Sequence, residues 1–260
     1  MLKHIKELFS YRELLYSITI REIKVRYKQS ILGILWAILQ PLSLMAVFTI
    51  IFSKFAKIPS EGIPYPIFCY AALLPWTFFS TSLSFAIPSL VNNSDLINKI
   101  YFPREIFPIS SVFAAFIDYA IASSIFFVMM IFYKVQITLG IFLIVIILPI
   151  QIILTLGIAF LFSSLNVYYR DVRYAIPLII QIWMYASPVI YPITMIPEKY
   201  RILYMLNPMA GIIDGYRKII LHGVSPDWNY LLLSAGVAII LLTLSYKYFK
   251  KVEMVFADII

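Results

Sequence analysis

Asp118 is the only carboxylate that lies well inside an apolar stretch long enough to cross a membrane. A buried acid in a membrane can relay protons, which would suit a proton-coupled carrier. Such a relay needs partner groups, and no Lys, Arg, His or Glu lies within another predicted span. We therefore favour a structural hydrogen bond from Asp118 to a neighbouring helix, with the proton relay as the alternative.

The sequence contains no motif for nucleotide binding or catalysis. None of its eight glycines opens a GxxxxGK[ST] phosphate-binding loop, and there is no nucleophile elbow, Gly-rich dinucleotide turn or paired-carboxylate arrangement. The single cysteine, Cys69, cannot form an internal disulfide, and His4 and His222 are too far apart in sequence to suggest a metal centre. We therefore predict that the chain is not an enzyme, with no catalytic residue, no metal site and no cofactor of its own.

The most polar interruption in the first half of the chain is the stretch 92–108, NNSDLINKIYFPREIFP. Asn93 or Ser94 could cap a short helix there, with Asp95 in the first turn near the positive end of the helix dipole. Apolar residues recur at helical spacing at Leu96, Ile97 and Ile100. Pro103 should end this helix. The stretch alone leaves open whether it is an ordinary surface loop or a functional element.

Residues 1–30 predict an amphipathic helix lying on the membrane surface, because an apolar stripe lies opposite a basic face. The stripe comprises Tyr11, Leu14, Leu15, Ile18 and Val25, and the basic face comprises Arg12, Arg21, Lys24 and Lys28. Packing of this helix on a partner protein is the alternative. Seven Lys and Arg residues in this region, with no apolar core between them, argue against a cleavable signal peptide.

Hydrophobic residues make up 62% of the 260 residues and charged residues only 13%, with a mean hydropathy of +0.90. This composition excludes a soluble globular domain and predicts an all-α polytopic membrane protein. We expect one transmembrane domain over 31–246, followed by a cytoplasmic tail at 247–260. The apolar runs predict six spans, at about 31–53, 67–90, 107–133, 139–165, 175–191 and 229–246.

The segment 192–228 is apolar enough to enter lipid, but a full crossing would bury three charged residues, Asp214, Arg217 and Lys218. Each charge at the bilayer centre costs roughly 2.5–3.5 kcal/mol. We therefore predict a re-entrant helical hairpin between the fifth and sixth spans, shielded by protein or lining a cavity. Gly211 and Gly215, at GxxxG spacing, could let the two arms of this hairpin approach closely.

The basic excess, 21 Lys and Arg against 13 acidic residues, indicates orientation in the membrane rather than nucleic-acid binding. With the N-terminus inside, the cytoplasmic segments hold 14 Lys or Arg, against seven outside. The positive-inside rule thus places both termini, the stretch 92–108 and the charged loop 166–174 in the cytoplasm.

Aromatic residues reach 17% of the chain, and several tyrosines cluster around the fifth span and the hairpin, at Tyr185, Tyr191, Tyr200, Tyr204 and Tyr216. Such rings can line the path of a sliding glycan, although anchoring at the lipid interface explains them equally well. In the first span, Trp36 and Gln40 share one helical face, which we expect to look into protein or a pathway.

Five segments together resemble the permeases of type-2 ABC transporters that export polysaccharides. These segments are REIKVRYKQS, ILGILWAILQP, NNSDLINKIYFPREIFP, NVYYRDVRY and the stretch from SPVIYP to NP. The resemblance is most specific in LINKIYFPREIFP and in the pair Arg170 and Asp171, and it covers nearly the whole chain. Among exporters of O-antigen, teichoic acid and capsule, the sequence is most similar to the O-antigen type.

The resemblance implies a homodimeric permease in the inner membrane, assembled with two separate ATPase subunits that bind ATP and Mg. The implied substrate is a polysaccharide linked to undecaprenyl diphosphate, moved from the cytoplasm to the periplasm. The implied ATPase-coupling residues are Asn93, Asp95, Leu96, Ile97, Lys99, Ile100, Tyr101, Arg104 and Glu105. The implied channel-lining residues are Trp36, Gln40, Gln181, Trp183, Tyr185 and Tyr191, with the hairpin closing the periplasmic mouth.

A further expectation is that Arg21, Lys24, Arg26 and Lys28 contact the pyrophosphate of the lipid carrier through charge-assisted hydrogen bonds. Three other functions stay open from the sequence: a proton-coupled secondary carrier, a membrane enzyme acting on lipid-linked sugars, and an exporter of drugs or small lipids with the same architecture.

Overall fold

The computed structural model describes residues 7–28 and 30–259, apart from the side chains of residues 257 and 258. Within these ranges the chain is helical and contains no β-strand. The all-α class predicted from the sequence is confirmed.

The long α-helices form the bundle. They are α1 Arg12–Tyr27, α2 Trp36–Phe48, α3 Tyr65–Ala86, α6 Ile106–Phe132, α7 Ile144–Tyr168, α8 Val172–Tyr185, α10 Pro208–Ile220 and α11 Trp228–Val252. Short α-helices lie at their junctions: α4 Ser89–Asn92, α5 Ser94–Lys99, α9 Glu198–Tyr204 and α12 Phe256–Ile259. Shorter helical turns extend several of them, with 3₁₀ turns at Gly33–Leu35, Leu139–Leu143, Ile193–Met195 and Glu253–Val255, and a π-helical stretch at Thr49–Phe55.

Five helices in the described part of the chain are long and apolar enough to cross a membrane. They are Gly33–Phe55, Tyr65–Ala86, Ile106–Phe132, Leu139–Tyr168 and Trp228–Val255. Five of the predicted spans fall on these helices. The last helix continues well past the predicted end at residue 246, because helical lysines follow its apolar part without a breaking residue.

The predicted span at 175–191 corresponds to α8, which ends at Tyr185. At 1.5 Å per residue its 14 residues extend only about 21 Å, which is less than the roughly 30 Å of a hydrocarbon core. Non-helical backbone follows from 186 to 192, ahead of the 3₁₀ turn. The count of six spans is therefore not confirmed.

Helix α3 lies at the centre of the bundle, in contact with α2, α6, α7, α8 and α10. Most of its side chains are buried, including Tyr70, Phe68 and Phe79. Pro75 lies inside α3 without ending it, and Gln151 of α7 donates a hydrogen bond of 2.7 Å to the Pro75 carbonyl. Because α3 spans about 33 Å, it separates two ends of the bundle. We call the end that contains α5 the α5 end, and the end that contains the segment 192–228 the hairpin end.

The segment 192–228 folds as α9, a turn and α10, where Asn207 caps α10 by accepting a hydrogen bond from the Met209 amide at 3.1 Å. The glycine spacing serves a different contact from the one predicted. A Cβ on Gly211 would lie 2.9 Å from the Tyr230 carbonyl oxygen, so Gly211 brings α10 against α11 rather than against α9. Gly215 faces Ile147 of α7 in the same way.

Helix α1 packs along α6 and buries Ile18 and Thr19. Three members of the predicted apolar stripe, Tyr11, Leu14 and Leu15, are partly buried against the cluster that includes Ile18. Val25, the fifth member, is exposed. The stripe therefore faces the protein over most of its length.

Candidate functional site

Helix α5 and the residues that follow it present an exposed surface at one end of the bundle. Ile100 is 59% exposed and Tyr101 is 78% exposed, and Asp95 and Lys99 are exposed beside them. Isoleucine and tyrosine side chains at this exposure leave apolar surface that a partner can cover. These four residues are the outward-facing part of the predicted coupling set.

The other predicted coupling residues anchor the helix instead. Ile97 and Glu105 are buried, and Leu96, Asn93 and Arg104 are partly buried. Ile97 packs in an apolar cluster with Phe102 of the same stretch and Phe249 and Phe256 from the end of the chain. The predicted set thus contains two kinds of residue, one on the surface and one that holds that surface in place.

Asn93 occupies the N-cap position of α5 but makes no capping hydrogen bond, so the predicted cap is wrong in its chemistry. Its side-chain nitrogen donates to the Ser89 carbonyl at 2.7 Å, and its side-chain oxygen accepts from Arg21 of α1. Asn93 therefore links α5 to both α4 and α1.

Glu105 is 1% exposed and is paired with Lys250 of α11, with 2.7 Å between Nζ and Oε2. Lys250 also pairs with Glu253 at 2.8 Å, and Glu253 accepts a hydrogen bond of 3.0 Å from the Arg104 amide. Burial raises the pKa of the Glu105 carboxyl, while the hydrogen bond from Lys250 opposes that shift. The block PRE at 103–105 is thereby fastened to the end of α11.

Asp118 has partners that the sequence did not reveal. Its carboxylate accepts hydrogen bonds from Arg26 and, at 2.5 Å, from the Tyr27 hydroxyl, both on α1. The Arg26 guanidinium also lies over the Phe85 ring, 3.8 Å from its centroid. Burial and the bond to Asp118 raise the pKa of the Tyr27 hydroxyl, which keeps it protonated as a donor. The interpretation of Asp118 as a structural hydrogen-bonding group fits this geometry.

The four predicted cations of α1 are separated into two groups. Arg26 is turned inward to Asp118, and its side chain is only 11% exposed. Arg21, Lys24 and Lys28 border an open groove of about 900 Å³ that also includes Ile34. Arg21 is already bonded to Asn93, so Lys24 and Lys28 are the exposed cations of this set.

A second cleft, of about 250 Å³, lies between α1, α2, α3 and α6. Trp36 and Gln40, two predicted channel residues, line it together with Arg26, Thr77 and Asp118. The structure thus brings Trp36 and Gln40 close to Arg26 of α1, although the sequence assigned these residues to different roles.

Helix α8 presents an exposed face that contains Gln181 and Tyr185. The side chains of Leu178 and Ile182 on the same face are each 60% exposed. Trp183 is turned the other way: its indole nitrogen donates to Asn207 at 2.9 Å, and its ring packs edge-on against Phe79. Trp183 therefore joins α8 to the hairpin instead of sharing the exposed face.

Tyr191 also lies outside that face, since its hydroxyl donates to the Tyr185 carbonyl at 3.0 Å and contacts the Tyr204 hydroxyl at 3.1 Å. The tyrosine cluster predicted for glycan contact is divided in the same way. Tyr185 and Tyr200 are about half exposed, whereas Tyr216 is buried.

Arg217 is the residue at the hairpin end that the sequence prediction did not assign. It is 3% exposed, lies 3.6 Å over the Phe68 ring, and has no carboxylate among its hydrogen-bond partners in the described part of the chain. Its guanidinium instead donates to backbone carbonyls of Phe68, Pro188, Val189 and Tyr191. The sequence did offer one signal for Arg217, namely a cation in a largely apolar helix. It could not show the partners of this cation, because they lie in a distant segment.

Side chains donate hydrogen bonds to five of the six carbonyl groups of the irregular backbone at 186–191. Besides the three carbonyls bound by Arg217, the Ile190 carbonyl accepts from the Tyr65 hydroxyl at 2.8 Å, and the Ala186 carbonyl accepts from Asn207 at 3.2 Å. Unpaired carbonyl groups away from water are costly, and these contacts remove that cost. They also bind α8, α3 and the hairpin into one unit.

No group of three or more His, Cys, Asp and Glu residues suited to a metal ion occurs in residues 7–28 and 30–259.

Comparison with known proteins identifies relatives over the whole chain. Residues 13–221 match the family model described as ABC-2 type transporter. The chain is 30% identical to the O-antigen export system permease protein RfbA of Myxococcus xanthus, over 99% of each chain. It is 31% identical to the protein of the same name from Klebsiella pneumoniae, over 95% of each. Identity to the polysialic acid transport protein KpsM of Escherichia coli is 23%, over 82% of this chain and 84% of the relative.

Proposed function

The chain belongs to the ABC-2 type transporter family, and from that membership we propose that it is the permease subunit of an ABC transporter that exports polysaccharide. Relatives that match nearly end to end carry O-antigen export in their names, and a more distant one carries polysialic acid transport. The proposed substrate is an O-antigen type polysaccharide on undecaprenyl diphosphate, moved across the inner membrane. Power comes from a separate ATPase subunit that binds ATP and Mg.

The observation that carries the proposal is the surface formed by α5 and the two residues after it. It combines two charged residues, Asp95 and Lys99, with the exposed apolar side chains of Ile100 and Tyr101. This mixture suits a protein partner, because apolar area gives affinity and the flanking charges give orientation. The surface rests on a buried foundation at Ile97 and Phe102, so force applied to it reaches the bundle.

The docking test reverses the exposed charges and leaves the foundation intact. The double variant Asp95→Lys with Lys99→Glu, and separately Tyr101→Ala, should lower copurification of an ATPase with the tagged chain by about tenfold or more. Lys199→Glu, on α9 at the hairpin end, is a control for reversing an exposed charge elsewhere and should copurify normally. Full copurification and full export by the α5 variants would show that this surface is not the docking site.

We propose further that α8 and the segment 186–191 together complete a sixth crossing, with both termini in the cytoplasm and the hairpin at the periplasmic mouth. The contacts of Arg217, Tyr65 and Asn207 support this proposal, since they allow the segment 186–191 to lie at membrane depth without unpaired carbonyls. Cysteines introduced separately at Lys199 and at Lys251 should then react with a membrane-impermeant thiol reagent from opposite sides of the membrane.

The functional unit is proposed to be a homodimer with two ATPase subunits. The exposed faces of α2 and α8, which carry Trp36, Gln40, Gln181 and Tyr185, would line a channel between the two copies. Trp183 and Tyr191 would serve instead to hold α8 against the hairpin, as their hydrogen bonds indicate. Disulfide crosslinking at Gln181→Cys, in a Cys69→Ser background, should trap a dimer and block export; failure to crosslink would remove Gln181 from the dimer axis.

The pyrophosphate of the lipid carrier is proposed to bind at Lys24 and Lys28, with Arg21 beside them. Arg26 is excluded from this group because Asp118 already engages it. Lys24→Gln with Lys28→Gln should lower export while the ATPase still copurifies, and Lys134→Gln serves as control. Unchanged export in the double variant would remove the pyrophosphate contact but leave the docking proposal untouched.

A further inference from the structure

The segment that follows the apolar part of α11 lies against α5. The last residues of α11, the turn Glu253–Val255 and α12 all reach the stretch 94–105, and α12 contacts α5 directly. The residues that support α5 therefore come both from its own stretch of the chain and from a segment about 150 positions later in the sequence.

The contacts are of two kinds, one apolar and fully buried, the other charged and partly buried. Phe249 and Phe256 are each 0% exposed, stack edge-on at 5.4 Å between ring centroids, and share a cluster with Ile97 and Phe102. Next to them, Glu105 and Glu253 both hold the Lys250 ammonium. Because Glu253 also accepts from the Arg104 amide, the backbone directly after α5 is bonded to this segment.

We propose that the segment 249–256 is a brace that positions the coupling surface and transmits its motion into α11. This inference rests on the proposed function, since it assumes that the ATPase pushes on α5. Helix α11 is about 38 Å long and reaches the hairpin, where Gly211 of α10 packs against Tyr230. A displacement of α5 is thus carried along a single rigid helix to the opposite end of the bundle.

Lys250 is the positioning residue of this brace, because its ammonium pairs with both Glu105, before α6, and Glu253, after α11. Tyr246 of α11 adds a hydrogen bond of 3.2 Å to Glu105. Lys250 touches neither the ATPase-facing side chains nor the proposed substrate path. A residue in that position should affect how much export each hydrolysed ATP yields, and not whether the ATPase binds.

The experiment compares Lys250→Met with Lys250→Arg, which keeps the charge, and with Lys251→Met, an exposed lysine on the same helix, as control. Hydrogen exchange of the α5 amides is measured on the purified chain alone. Lys250→Met should raise their exchange rates about tenfold through easier local opening, Lys250→Arg should restore most of the protection, and Lys251→Met should change nothing. Unchanged exchange in Lys250→Met would overturn the brace.

The second measurement uses the chain purified together with its ATPase and reconstituted into inside-out vesicles. These vesicles are supplied with lipid-linked glycan. For Lys250→Met we expect ATPase copurification and ATP hydrolysis near normal, with export per ATP lower by about fivefold or more. Phe256→Ala is the second variant, in case Lys250→Met fails to insert, and should give the same pattern. Raised exchange with undiminished export per ATP would overturn the role in transmission.

Failure of the proposed function gives a different result. If the charge reversals at Asp95 and Lys99 leave ATPase copurification intact while Lys250→Met still raises α5 exchange, the packing of the brace is real and the docking assignment is wrong. If the α5 reversals abolish copurification while Lys250→Met has no effect on exchange or on export per ATP, only the brace is refuted.

Discussion

Replacing Arg217 by methionine should loosen the hairpin end of the bundle more than any single change of an exposed residue. The guanidinium is the donor for the carbonyls of Pro188, Val189 and Tyr191, which all belong to non-helical backbone. Leaving buried acceptors unsatisfied costs about 1–3 kcal/mol each. Relief of the buried charge offsets part of this, so the net loss should resemble that of breaking a buried ion pair, about 3–5 kcal/mol.

The assay is thermal unfolding of the purified chain in detergent, followed by tryptophan fluorescence. For a chain of this length, 3–5 kcal/mol corresponds to a fall in melting temperature of roughly 10 °C. Arg217→Lys should fall between the wild type and Arg217→Met, because an ammonium group keeps the charge but lacks the planar fork that reaches several carbonyls. Lys199→Met, an exposed change on the same hairpin, should stay within about 0.5 kcal/mol of the wild type.

A melting temperature of Arg217→Met within about 2 °C of the wild type, in protein that is folded and monodisperse, would refute this reasoning. It would mean that water or a rearranged side chain reaches the carbonyls at 188–191, and that the segment does not depend on the hairpin for its hydrogen bonds.

Two further predictions concern packing and charge inside the bundle. Gly157→Ala should cost about 1–3 kcal/mol, because a Cβ there would lie 2.9 Å from the backbone nitrogen of Leu242, whereas Gly236→Ala meets open space and should be neutral in the same melting assay. Asp118→Leu alone should cost about 3–5 kcal/mol, because it strands the buried Arg26; adding Arg26→Met should recover at least half of that loss. Additive losses in this double-mutant cycle would show that the two groups do not interact.

The parts of the fold that could be predicted are those set by local apolar length. Helix α6 runs Ile106–Phe132 where the sequence predicted 107–133, since an uninterrupted apolar run fixes both ends of a span. The existence of the short helix after Asn93 was equally predictable, because an acidic residue in its first turn is a local signal. Its end was predicted wrongly: the helix stops at Lys99, with Ile100 in extended backbone, before Pro103 is reached. The resemblance to polysaccharide-exporting permeases rested on such local motifs and is confirmed at the level of the family.

The parts that could not be predicted depend on partners distant in sequence. Helix α8 ends at Tyr185 and not at 191, and the carbonyls that follow it bind Arg217, which lies about 30 residues later. Asp118 binds Arg26 at a separation of 92 residues, and Arg26 lies outside the predicted spans. Asn93 fails as a cap for the same reason, because Arg21 and Ser89 take its side chain.

These failures share a physical cause, which is that the deciding partner lies far away in the sequence. The same pattern suggests that the ends of the bundle and its middle region have different roles. The buried Arg217 and the partly buried Lys250 lie where regular helix stops, at opposite ends of the bundle, and each joins segments that are far apart in sequence. Between them α7 and α11 pack through apolar side chains and the close approach at Gly157. Changes in this middle region, such as Gly157→Ala, should therefore lower the melting temperature without altering export per ATP. Changes at Arg217 and Lys250 should alter the link between the ends, so a variant of Lys250 that lowers stability alone would contradict this division.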